Sequence, residues 1–191
     1  MKQIFLISGE ARNGKDTLAD IMMEKLEGKS IKIAMADYLK YMAAKYYKWN
    51  GEKDEQGRTI LQQLGTERIR DELGLDTFHV ERVCQDIKII ENRYDYIFIP
   101  DVRFKNEMWY TMAKFPYNTT SIRVHRLDFE SPLTEDQKKH RSEIDLLDFK
   151  HDYDVHSESG LDMVEKQVDL VLGNVINQLN MEKFYNQYCS Y

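Results

Sequence analysis

Cysteine is scarce in this chain, and its scarcity excludes much. Cys84 and Cys189 are the two in 191 residues, far apart in sequence. So placed, they predict neither a disulfide framework nor a zinc site, and a reducing cytoplasm is the expectation. Long apolar runs are lacking too, and none approaches the roughly 20 residues that cross a bilayer. The opening "MKQIFLISGEARNGKD" has a short apolar core that passes straight into a glycine loop. It reads as a buried strand rather than a signal peptide. Positive charge is not in excess either. A formal charge of −6 argues against a general binder of nucleic acid polymers or acidic membranes. There is no internal repeat and no low-complexity segment.

What remains is a soluble chain of one domain, built on alternation. Residues 2–8, 30–36, 94–101, 119–127 and 152–155 read as short buried strands. Between and after them, helices are expected near 15–27, 37–48, 58–72, 77–92, 103–114 and 159–180. The last carries Leu161, Val164, Val168, Val171, Leu172, Val175, Ile176 and Leu179 on one face. Strand-helix alternation predicts an α/β fold, a five-stranded parallel sheet with helices on both faces. The polar stretches 48–58 and 128–143 read as mobile segments over a rigid scaffold rather than as linkers.

The loop "SGEARNGKDTLAD" carries the first chemistry. Gly9, Gly14 and Lys15 have the spacing of a phosphate-binding P-loop between a strand and a helix. Backbone N–H groups and the helix N-terminus would face phosphate oxygens, and Lys15 would supply a mobile cation. The usual Ser or Thr after the lysine is displaced, because Asp16 follows and Thr17 comes next. Asp16 either favours the helix dipole or holds Mg²⁺ as a hard oxygen ligand, leaving Thr17 for phosphate.

A second anion site is suggested by "RTILQQLGTERIRDELG", which gathers Arg58, Gln62, Gln63, Arg68 and Arg70. Arg58 and Gln62 are one helical turn apart, and Gly65-Thr66 is expected to interrupt or bend that helix. Guanidinium groups suit bidentate phosphate contacts. The competing reading is a solvated surface, with Glu67, Asp71 and Glu72 as partners. Asp101 ends a strand and either holds the water shell of Mg²⁺ or caps a helix, while Arg103 falls at the ligand crevice of an open sheet. The spacing of His125, His140, His151 and His156 fits no zinc pattern, so they read as surface or packing residues.

The segments "GEARNGKDTLAD", "ADYLK", "RTILQQLGTERIRD", "IPDVRFKNE" and "HRSE" occur in this order. Together they resemble the phage-type deoxynucleoside monophosphate kinases, a branch of the P-loop nucleotide kinases. The resemblance covers most of residues 1–175 and implies that G-K-D-T is a variant of small-molecule kinases. It implies ATP phosphates on Gly9, Arg12, Asn13, Gly14, Lys15, Asp16 and Thr17, and Mg²⁺ on Asp16, Thr17 and Asp101. Asp37, Lys40, Arg58, Gln62, Arg68, Arg70 and Arg103 would bind the monophosphate acceptor. Lys15, Asp101, Arg103, Arg126 and Arg141 would serve the transfer itself.

The same resemblance divides the chain into a core (about 1–36, 94–127 and 150–180), an acceptor-binding helical insertion (about 37–93) and a lid (about 128–145). It makes a homodimer plausible, and host cytoplasm would follow if the chain is phage-encoded. One departure is "HSESG", where such kinases often carry Asn-Gly or Asn-x-Gly, which leaves the adenine-side contacts open. The tail 180–191 is aromatic-rich and could dock on the body or on a partner. Rival readings are a kinase of another phosphorylated small molecule, such as phosphomevalonate, and a nucleotide-binding module without catalysis.

Overall fold

A computed structural model describes residues 1–52, 54–127, 129, 131, 133–157 and 161–188, with side chains as far as 181. Five parallel strands form one sheet, β1 (Gln3–Ser8), β2 (Ser30–Lys32), β3 (Tyr96–Ile99), β4 (Thr119–Arg126) and β5 (Tyr153–Ser157). Their order is β2-β3-β1-β4-β5. The helices are α1 (Lys15–Lys25), α2 (Asp37–Tyr47), α3 (Glu55–Gln62), α4 (Phe78–Ile90), α5 (Lys105–Lys114), α6 (Glu135–Lys139), α7 (Arg141–Ile144) and α8 (Asp162–Tyr188). A π-helical run, Gln63–Glu72, continues α3.

All six residues of β1 are buried because the central strand of a parallel sheet is covered on both faces. Alternate side chains leave a strand on opposite faces, so one strand feeds two cores. Phe5, Ile7, Phe98, Ile122, Val124 and Val155 meet Leu18 and Met22 of α1 and the valines of α8. Ile4, Leu6, Ile97 and Ile99 meet Val80, Val83 and Ile87 of α4 and Met108 of α5. A third, smaller cluster joins Leu39 and Ala43 of α2 to Leu64 and Ile69 of the π-helical run.

The fold expected from alternation is the fold observed, with local differences. β2 ends at Lys32 rather than 36, because the amides of Met35 and Ala36 turn away to bond Asp101. The helix expected over 58–72 is α3 followed by π winding, so Gly65-Thr66 is absorbed in a wider coil instead of a break. α8 reaches Tyr188 because no proline stops it. Val164, Val168, Val171, Leu172 and Val175 are buried as expected, while Leu161 and Ile176 stay exposed. Residues 128, 130 and 132 of the expected lid, 158–160 of "HSESG" and the tail beyond 188 with Cys189 lie outside the described residues. Among the described residues no helix is long and apolar enough to cross a membrane.

The strand order decides where a ligand can sit. From central β1 the chain runs out to edge strand β2, returns to β3, then crosses to β4 and β5. In open α/β sheets the crevice at such a reversal, beyond the carboxyl ends of the strands, is the ligand site. The loop after β1 and the Asp101 segment after β3 both open there.

Candidate active site

The phosphate loop leaves β1 at Ser8 and closes on α1. Gly9 (φ 145°), Arg12 (φ 65°) and Gly14 (φ 85°) all have positive φ, a backbone in which neighbouring N–H groups turn toward one concavity. A Cβ on Gly9 would stand 2.5 Å from the carbonyl oxygen of Val124, so β4 excludes any side chain there. Asn13 Nδ2 donates to that same oxygen at 3.3 Å, so one carbonyl of β4 braces both ends of the loop. Lys15 Nζ donates to the carbonyls of Gly9 (2.8 Å) and Glu10 (2.6 Å), which holds the ammonium over the loop. Asp16 and Thr17 lie exposed in the first turn of α1. This cradle and its two hard oxygen donors suit a metal-bound polyphosphate.

Across the crevice, Asp101 Oδ1 accepts the Met35 N–H at 2.8 Å and Oδ2 accepts the Ala36 N–H at 3.1 Å. Of the two roles the sequence leaves open, capping is visible, though on the turn before α2 and not on its own helix. Each oxygen keeps a second lone pair for a metal-bound water. Burial pushes the Asp101 carboxyl above its ordinary range, opposed by the two amides and by the charges of Lys40 and Arg103. Asp37 accepts the Ala34 N–H at 2.9 Å and pairs with Lys40 at 3.1 Å. Asp37 and Lys40 therefore shape the entry to α2, with the Lys40 charge felt at Asp101.

Arg70 requires a correction. It was expected to line the acceptor site, yet its side chain is 2% exposed and bonds Glu107 at 2.6 Å, itself 3% exposed. Its other nitrogen donates to the Asp76 carbonyl at 2.5 Å, and the guanidinium lies 4.0 Å from the Phe104 ring centroid. A guanidinium so enclosed has no face left for a ligand. Glu107 is the hub of this knot, since its second oxygen accepts the N–H groups of Arg103 (2.8 Å) and Phe104 (3.1 Å) at the start of α5. Burial raises the Glu107 carboxyl, opposed first by Arg70. The sequence signal was there: a glutamate three residues past Phe104 is where an N-terminal cap reaches back.

Arg68 is the surface residue that the competing reading anticipates, paired with Glu72 at 2.5 Å. Arg58 is close enough to Arg103 for its positive charge to be felt there. Gln62 follows Arg58 by one turn of α3. Arg103 bonds the carboxylate of Glu143 and, at 3.4 Å, the Ser142 carbonyl, so α7 rests on the body. Arg141 of α7 bonds Asp71 at 3.0 Å, with Asp76 at 3.9 Å and the Phe104 ring at 5.6 Å. Arg126 is engaged elsewhere, 4.4 Å from the Phe129 ring centroid. Glu143 and Phe104 were not assigned from sequence, and Asp71 was expected only as a surface partner of its neighbouring arginines, not of Arg141. Their charge partners lie far along the chain, and nothing local marks them.

The histidines behave as packing and surface groups. His151 Nδ1 bonds the Phe149 carbonyl at 3.0 Å, so Nε2 accepts from Ser8 Oγ at 2.7 Å, directly beneath the loop. His125 and His156 stack at 4.8 Å. Among the described residues no group of three His, Cys, Asp or Glu is placed to hold a metal ion. Cys84 is buried, and burial raises its thiol, so it is chemically quiet.

No family model and no curated protein sequence matches the chain. Solved structures do match over nearly the whole of it. A shikimate kinase from Aquifex aeolicus aligns with TM-score 0.51 and 12% identity over 91% of this chain and 99% of that one. An APS kinase from Mycobacterium tuberculosis, in complex with AMPPNP and APS, aligns with TM-score 0.51 and 9% identity over 92% and 97%. The fold is that of the P-loop kinases. At these identities the likeness concerns the backbone path, so the P-loop kinase fold rests on the sheet order, the loop after β1 and these alignments together.

Proposed function

We propose that the chain is a kinase that transfers the γ-phosphoryl group of ATP to a deoxynucleoside 5′-monophosphate, giving ADP and the diphosphate. The observation that carries this reading is the braced loop with Lys15 at the mouth of the crevice, faced by the cationic group Arg58, Lys40 and Arg103. The nucleotide acceptor is supported by the five ordered sequence segments and by Gln62 and Gln63, whose amides can pair with a base edge.

The chemistry asks little of the protein beyond placement and charge. A monophosphate has a second pKa of about 6, so its oxygen is already an anionic nucleophile at neutral pH. That oxygen forms a bond to the γ-phosphorus as the bond to the ADP oxygen breaks, and ADP leaves with the released negative charge. Lys15 and Arg103 stabilise the shared phosphoryl group, and in-line positioning supplies much of the rate. Asp16, Thr17 and, through water, Asp101 are the residues that would hold Mg²⁺, which when bound neutralises phosphate charge. Arg141, at the edge of the crevice, would add charge as α7 settles over the substrates.

The test is ADP formation from ATP and Mg²⁺ with dGMP, dTMP, dCMP, dAMP, their ribose counterparts and phosphomevalonate, each offered separately. Acceptor-dependent turnover with deoxynucleotides is expected. Turnover with phosphomevalonate alone, or ATP binding without any acceptor-dependent turnover, would defeat the assignment.

A further inference from the structure

Two of the arginines assigned to the proposed reaction are held by carboxylates, and each pair joins two different elements. Arg103, on the body, is held by Glu143 of α7. Arg141, on α7, is held by Asp71 of the π-helical run. The pairs therefore cross: α7 lends an acid to the body and receives one from the acceptor side. His140, at the start of α7, lies in the same field and feels Glu67, Arg103 and Asp71.

These pairs differ in kind from Arg70–Glu107. That pair is sealed, whereas Arg141 and Asp71 are 48% and 50% exposed; Arg103 is 37% exposed, with a largely buried Glu143 (10%) beside it. The exposed Arg141–Asp71 pair is weak, and phosphate, like carboxylate, fits a guanidinium fork bidentately while bringing more charge. Asp71 thus occupies guanidinium donors of an arginine that water and small anions reach, and Glu143 occupies those of the partly exposed Arg103.

We propose that Asp71 and Glu143 are resident counter-anions, which hold Arg141 and Arg103 docked with α7 until substrate phosphates displace them. The proposal rests on the kinase reading for its purpose, namely that transfer waits until phosphates have replaced both acids, but not for its geometry. Its consequence is that ATP alone is hydrolysed slowly. The opposite role, in which the acids position the arginines for catalysis, predicts opposite signs.

The first measurement is calorimetric binding of inorganic pyrophosphate, without ATP or acceptor, to the native chain and to Asp71→Asn/Glu143→Gln. Both are repeated in a Lys15→Ala background to weaken the loop's own share of binding. Freed arginines should bind about three- to tenfold more tightly, the range expected from losing one weak and one largely buried competitor. Equal or weaker binding overturns the proposal. Acceptor-independent ADP formation should rise several-fold in the same variant, and a fall would assign the acids to positioning instead. Asp71→Asn alone, at an exposed site, should give about a twofold effect and serves if the double variant does not fold. A chain that makes no ADP with any acceptor defeats the kinase reading, while the pyrophosphate result still judges this one.

Discussion

Lys15 shows how one side chain is held in place by its own loop. Its ammonium rests on the carbonyls of Gly9 and Glu10, so it is held where phosphate oxygens would arrive. Lys15→Ala is expected to lower turnover on the order of 100-fold or more, the size found on removing one preorganised charge-stabilising donor. Steady-state ADP formation checks this, and a loss below about fivefold would remove Lys15 from the chemistry. His79 is a residue-scale case of another sort. Its ring nitrogens are buried with no well-formed hydrogen bond among the described residues, and burial, then the Arg70 charge, lower its pKa from 6.5 to about 4, opposed by the nearby Gly65 backbone. The folded chain then binds fewer protons at His79 than the unfolded chain between those values, so stability should fall as pH drops from about 6.5 toward 4. The loss attributable to this group is about 3 kcal/mol. Denaturation of native protein and His79→Gln across that window tests it, and parallel pH profiles would refute it.

At the scale of elements, the contact between the π-helical run and α5 organises this flank of the crevice. π winding is rare and recurs at functional sites. Here it carries Arg70 inward to Glu107, which at the same time caps α5 through the Arg103 and Phe104 amides. One carboxylate thus fastens two helices and the strand-to-helix turn that bears Arg103. Arg70→Met keeps much of the volume but leaves Glu107 buried without its counter-charge, and should cost about 3–5 kcal/mol. Urea denaturation measures this, and a loss below about 1 kcal/mol would show that Glu107 is satisfied by other means.

Across the whole molecule, burial is uneven. The sheet is packed on both faces by extensive apolar clusters, whereas α2, α3 and the π-helical run share a core of four buried residues, Leu39, Ala43, Leu64 and Ile69. Local opening free energy follows buried apolar contact, so α2 and α3 should open well before the central strands. Native-state hydrogen exchange should show amides of α2 and α3 exchanging at lower free energy than those of β1 and β3. Equal protection throughout would mean that the small core is not a separate unit. Under the proposed function, such a division would let the region of α2 and α3 adjust while the loop after β1 stays braced against β4.

The sequence by itself determined what depends on near neighbours. β1 is legible because a strand buried on both faces must be apolar at nearly every position, and the phosphate loop because Gly9, Gly14 and Lys15 act within seven residues of one another. The alternation of strands and helices carried the sheet for the same reason. Only the tertiary structure decided which charge meets which. Arg70 finds Glu107 across 37 residues and Arg141 finds Asp71 across 70, and no local pattern encodes those separations. Three arginines that look alike in sequence thus divide into one sealed pair, Arg70–Glu107, and two exposed ones, Arg68–Glu72 and Arg141–Asp71. Burial sets the strength of each charge pair, and burial is a property of the folded chain rather than of any one segment.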